Sequence, residues 1–216
     1  MTATTTTTTT TTDSSSFTFD LDAGRTCLAF ANTRDSSGEH LNSYADVVAF
    51  AAQSDLITPE DAEWLQVAGT QETVVAQGML RRARDLRSAI YAIFSALAAG
   101  RRPATADLGR LNSELAATQS HARVVAEGTG YRWGWAGRNL DAPLWGISRS
   151  AADLLTNDEE RTRVRECGGA ECRWLFLDTS KNRTRQWCSM SSCGNREKAR
   201  RHYQRRRVEE RRAAES

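Results

Sequence analysis

The sequence predicts an α+β protein: a mainly helical amino-terminal domain with a small hairpin, followed by a short cysteine-rich finger made of a hairpin and a basic helix. Three observations carry this reading. Apolar residues recur at spacings of three, four and seven from about residue 44 to 155, broken once by a strand–turn–strand pattern. Four of the five cysteines fall in two short-spaced pairs near the carboxyl end. Charge divides the chain: residues 1–160 hold 13 Lys/Arg against 20 Asp/Glu, and residues 161–216 hold 16 against 7, beneath a net of +2. Parts of opposite charge serve different partners or touch each other.

Residues 1–16, "MTATTTTTTTTTDSSS", form a Thr/Ser tail too poor in apolar groups to order itself. Phe17, Phe19 and Leu21 then alternate with polar residues as a short strand would, and a turn at Gly24 leads into the apolar run Cys27–Ala31. Cys27 stands in that run without a nearby thiol or histidine, as a core residue does. Tyr44, Val47, Val48 and Ala51 share one helical stripe. Thr58, Pro59 and the acids behind them mark the next helix start. The longest helix is expected over about residues 71–99, with Arg81, Arg82, Arg84 and Arg87 on a solvated face laced with acids, and a fourth over about 107–118. "VVA" and "YRWGW" flank "EGTG" as a hairpin, with Trp133 and Trp135 on one face covering the helical core. A last helix carries Leu144, Ile147, Ala151, Leu154 and Leu155, and Asn157 caps a short turn after it. Residues 17–160 thus read as one domain, long enough to bury a single core.

The finger is expected over residues 161–216. Its cysteines run Cys167-x4-Cys172, fifteen residues, Cys188-x4-Cys193. Two short-spaced pairs can each turn back around one ion, and Gly168, Gly169 and Gly194 supply small residues for those turns. Spacing alone leaves buried or redox thiols open as an alternative. The module's few apolar groups argue for metal, because so small a unit does not hold together unaided. Four thiolates from Cys167, Cys172, Cys188 and Cys193 fill a tetrahedral site, so one Zn2+ is expected in a structural and not a catalytic role. "WLFLD" and "TRQWC" are expected to pair as strands across the turn "TSKNR", ahead of a Gly- and Pro-free helix. Two turns, a hairpin and a helix make a zinc-ribbon or treble-clef-like finger.

"LFLDTSKNRTRQWCSMSSCGNREKARRHYQRRR" resembles the CGNR zinc finger, whose name spells Cys193-Gly194-Asn195-Arg196 here. "AGRTCLAFANTR" and "SYADVVAFAAQSDLIT" resemble the start of the ABATE domain. That domain accompanies this finger in bacterial proteins regarded as stress-induced transcription regulators. The resemblance implies a DNA-binding role.

The basic surface fits that implication. Arg196, Arg200, Arg201, Arg205, Arg206 and Arg207 lie on the last helix, and Lys181, Arg183 and Arg185 lie at the expected hairpin tip. A helix this polar is either solvated or laid against a polyanion. Two cationic surfaces fixed by one metal suit a phosphate backbone, with duplex DNA favoured. An RNA-binding factor and a protein–protein interaction module stay open. The helical domain is expected to sense a small-molecule effector or to drive homodimer formation. No enzymatic constellation is present: His40, His121 and His202 are scattered, and there is no phosphate loop or nucleophile elbow. No window is apolar enough for a membrane span and no secretory signal opens the chain, so a cytoplasmic, nucleoid-associated protein without a membrane partner is expected.

Overall fold

The computed structural model describes residues 17–214; the expectation for residues 1–16 lies outside the described residues. The amino-terminal part contains α1 (Thr26–Ala31), β1 (Arg34–Asp35), β2 (Gly38–Glu39), α2 (Tyr44–Gln53), α3 (Pro59–Gln71), α4 (Thr73–Ala98) and α5 (Thr105–Gln119). The hairpin β3 (Ala122–Glu127) and β4 (Gly130–Trp135) follows, then α6 (Ala142–Thr156) and the single turn α7 (Asp158–Arg161). Strands β5 (Val164–Glu166) and β6 (Leu175–Leu177), a π-turn over Met190–Gly194 and α8 (Asn195–Ala214) complete it. The architecture is mostly helical, with three separate two-stranded antiparallel pairs.

Helix starts are locally encoded. The Ser43 side chain accepts from the Asp46 N–H while the Asp46 carboxylate reaches back, a complete capping box. Thr58 accepts from the Asp61 N–H ahead of Pro59, and Asn157 from the Glu160 N–H. The apolar stripes then converge: Phe30 from α1, Phe50 from α2, Leu86, Ile90, Ile93 and Phe94 from α4, Leu111 from α5 and Ile147 from α6 are all buried in one core. Burying each such side chain contributes about 1.5–3 kcal/mol. A second core gathers Tyr44, Val48, Leu65 and Leu140 against Trp64.

In the helical part three expectations change. Residues 17–21 form no strand. The Gln53 amide binds both the Phe19 N–H and the Phe17 carbonyl, taking the bonds a partner strand would make. Phe19 turns edge-on to Phe50 at 5.3 Å. The arginine face of α4 is laced with acids as expected and Arg81 is exposed, but Arg87 is 3 % exposed and paired with Glu39, Arg82 binds Glu114 half-buried, and Arg84 donates to the Leu41 carbonyl. Those partners lie on β2, just after it and on α5, out of reach of a local sequence pattern. Trp133 and Trp135 do share a face, but only Trp135 approaches the core, at 6.1 Å from Trp145. Trp133 is 46 % exposed beneath the Arg149 guanidinium.

The joint between the helical part and the cysteine region is strand β6. Its alternation sends Leu175 and Leu177 into the main core and Phe176 to the opposite side, among the cysteines. β6 pairs with β5 in the register Val164↔Leu177, Arg165↔Phe176 and Glu166↔Leu175, and not with "TRQWC". Buried Asn32, just after α1, clasps the Leu175 backbone, accepting its N–H and donating to its carbonyl, both at 2.9 Å. The Leu177 N–H reaches the Ala23 carbonyl at 2.9 Å. Gly24 follows with φ +81°, where a Cβ would stand 3.0 Å from Leu177 Cβ, so glycine answers both the turn and the approach.

Candidate metal centre

Cys167 and Cys172 lie in the loop of the β5–β6 hairpin. The Cys167 N–H donates to the Trp174 carbonyl at 2.8 Å, and the Cys172 N–H to the Gly169 carbonyl at 3.1 Å, which folds the loop back on itself. After β6, buried Asp178 reverses the chain: its carboxylate accepts from the Ser180 N–H and hydroxyl and from the Arg185 N–H. The returning segment brings Trp187 between two glycines. A Cβ on Gly168 would lie 2.8 Å from the indole, and one on Gly194 3.0 Å from it. That wedge sets Cys188 beside the first pair, and the π-turn carries Cys193 to the start of α8.

The four sulfurs all lie within 4.8 Å of one another. Cys172 Sγ is 3.5 Å from Cys188 Sγ, and Cys188 Sγ is 3.6 Å from Cys193 Sγ. These separations far exceed a disulfide bond of about 2.05 Å. They match the edge of about 3.8 Å that four sulfurs make around a zinc ion at about 2.3 Å. The Cys188 N–H points at Cys167 Sγ from 3.4 Å, the kind of donor a thiolate needs.

Electrostatics point the same way. A hydrogen bond from Cys188 holds the Cys172 thiol down to about 5. The same Cys172 pushes Cys188 up, as burial does for Cys193. Without a cation, Cys188 and Cys193 resist ionisation beside the Cys172 thiolate. A dication lifts that restriction. The four cysteines form a single zinc-binding site, and four sulfurs leave no open position, so the zinc is structural. Cys27, fully buried at the other end of β6's contacts, takes no part; burial pushes its thiol up to about 12.

The cationic residues fall into three situations. Arg185 is half-buried and turned inward, donating to the Trp187 and Cys188 carbonyls and lying 4.7 Å over the Phe176 ring. Arg200 and Arg201 pair with Glu197 at 2.7 and 3.4 Å, and Arg206 with Glu210 at 3.3 Å. Lys181, Arg183, Arg196, Arg205 and Arg207 are exposed, with Arg183 3.9 Å from Glu159. Arg185 and Arg196 line one groove whose other residues include Asp20, Asp22 and Asp35.

Two residues that organise the site escape a reading of spacing: Asn32 and Asp178. Asp178 had a detectable signal, since Asp-x-Ser is a side-chain-to-backbone turn. Asn32 had none, because its partner lies 143 residues away.

Comparison with known families agrees with this layout. The ABATE family, described as "Putative stress-induced transcription regulator", matches residues 24–158, and the CGNR zinc finger matches residues 163–206. No curated protein matches the chain. No helix among the described residues is long and apolar enough to cross a membrane. With its zinc-binding cysteines at the head of a carboxyl-terminal CGNR zinc finger, the chain belongs to the ABATE family.

Proposed function

We propose that this protein is a zinc-dependent DNA-binding transcription regulator, non-enzymatic and acting at the bacterial nucleoid, with residues 17–160 as a sensing or pairing domain and 161–216 as the DNA-binding finger. One observation carries the reading. The α8 helix starts two residues after the fourth zinc-site cysteine and presents Arg196, Arg200, Arg201, Arg205, Arg206 and Arg207 exposed along it, with Tyr203 exposed too. A helix without an apolar face, held rigidly at one end by metal, has no use for a protein core and suits the major groove or the phosphates beside it. Lys181 and Arg183, on the loop that the same zinc site fixes, supply a second grip on the neighbouring strand. Arg185 supports that loop from within and makes no DNA contact. Arginine forks suit both phosphates and guanine edges.

Salt-dependent gel shifts on duplex DNA, single-stranded DNA and RNA test this. With about six phosphates engaged, duplex affinity falls roughly 10³-fold between 50 and 200 mM salt. Tighter binding to RNA replaces the reading with an RNA-binding factor, and no shift of any probe below micromolar protein replaces it with a protein-docking module. Selection of bound fragments from random duplex then gives the target sequence.

A further inference from the structure

Between α3, the β3–β4 hairpin and the start of α6 lies a cavity of about 470 Å3, within the range of small-molecule sites. Trp64 on α3 and Trp135 at the end of β4 line it half-buried, which leaves part of each indole uncovered. Enclosed Trp145 backs them, 6.1 Å from Trp135, and Leu56, Ile57 and Val125 add aliphatic wall. The polar part of the lining is largely rim, where Asp55, Glu127, Arg132 and Arg138 are exposed. We propose that the cavity binds a small organic cation of the quaternary ammonium class, its charge clothed in alkyl carbon.

Charge and ring chemistry select that class together. Glu127 pairs with Arg132 at 2.9 Å, Asp61 with Arg138 at 3.1 Å, and Glu60 binds Arg138 as well. Asp55 joins them in the lining, so two guanidiniums stand among four carboxylates and the site carries surplus negative charge. An anion meets that surplus as repulsion, and a neutral molecule gains nothing from it. A cation gains from the acids and from indole, the ring that attracts a cation best. A metal ion fits poorly, because it needs several carboxylates converging on one point. Among the described residues, the only such convergence of His, Cys, Asp or Glu is the cysteine cluster. A primary ammonium would turn N–H donors toward Leu56, Ile57 and Val125, whose side chains accept none; alkylated nitrogen has none to satisfy.

This inference deepens the sensing half of the function proposed above, but its test involves no DNA, so either can fail alone. Choline and dimethylbutanol, in which a tert-butyl carbon replaces the trimethylammonium nitrogen, are titrated in parallel into the full-length zinc-loaded protein. Calorimetry and tryptophan emission follow binding. One saturable site is expected for choline, with the neutral isostere bound about tenfold more weakly. Asp55→Asn removes one surplus charge and weakens choline about threefold. Asparagine tolerates the positive φ of 55° that Asp55 holds, so this exposed substitution keeps the fold. Trp64→Leu keeps an apolar wall but removes a ring, and weakens choline about fivefold while the isostere changes little. Should the Trp64 variant fold poorly, Asp55→Asn keeps the test decisive. Absence of a saturable choline site, equal affinity for the isostere, or full choline affinity in either folded variant overturns the proposal.

Discussion

Arg87 sits almost fully buried on α4, an expensive place for a charge unless a partner stays ionised beside it. Glu39 is that partner, with Arg87 Nη2 donating to its Oε2 at 2.6 Å and the Leu41 N–H to its Oε1 at 2.9 Å. Burial pushes the Glu39 carboxyl up, but the Arg87 and Leu41 hydrogen bonds, with the charge of Arg84, outweigh it and hold it at about 2 against a usual 4.5. The sign follows from that depression. The pair's stabilisation is fully present above pH 4.5 and is lost as pH falls through about 2. We predict that Glu39→Gln lowers stability by about 2–3 kcal/mol at neutral pH in urea unfolding. The gap between variant and wild type then closes below pH 4.5. Both proteins keep the same cysteines, so acid release of zinc cancels in the difference. A gap that stays constant into acid shows the pair to be unimportant. This ion pair also marks what a sequence pattern misses: the arginines of α4 were visible, but the acids that claim them were not adjacent on any helix face.

Strand β6 shows how one short element can serve two cores. Three residues, Leu175–Leu177, are buried on both sides, and the alternation of a strand divides them between the helical core and the cysteines. The pairing partner expected from spacing, "TRQWC", was wrong for a physical reason. Asp178 turns the chain immediately after β6, and Trp187 must reach the slot between Gly168 and Gly194 rather than run beside the strand. By contrast, α2 to α6 and the β3–β4 hairpin were legible, because their caps, apolar periods and turn residues are all local. The cysteine pairs were legible for the same reason. The fold around them yields a prediction for Cys188→Ser, which removes one thiolate from the site. Zinc content drops from one per chain to near zero by metal analysis. Amide protection in hydrogen exchange is lost over residues 178–194, while β5 and β6 keep theirs, because Asn32 and the core hold them independently of the metal. Retained zinc argues against Cys188 as a ligand, and melting of β5–β6 along with the loop argues against the joint described here.

At the scale of the whole molecule, an acidic helical body carries a basic finger, and the two are joined through buried backbone rather than a free linker. The body's acids near the finger, Asp20, Asp22 and Asp35, face the groove where Arg196 opens. On the reading proposed above, a polyanion is repelled by these acids and drawn most strongly farther along α8, which favours phosphate contacts at Arg205, Arg206 and Arg207. Replacing these three with Ala should lower the slope of log affinity against log salt by about one unit per lost contact, with the unfolding midpoint little changed because the side chains are exposed. Arg185→Ala provides the opposite signature. Its guanidinium holds the Trp187 and Cys188 carbonyls and covers Phe176, so its loss should weaken zinc retention and lower the unfolding midpoint, with no change of salt slope in the fraction that stays loaded. Sequence alone placed all four arginines in one DNA-binding class, since charge and position along the chain are the same kind of signal for each. Direction is the added variable, and it is set by what lies within a few ångströms. If the triple variant keeps the wild-type slope while Arg185→Ala flattens it, the binding face lies on the loop side of the finger and α8 is a solvated extension.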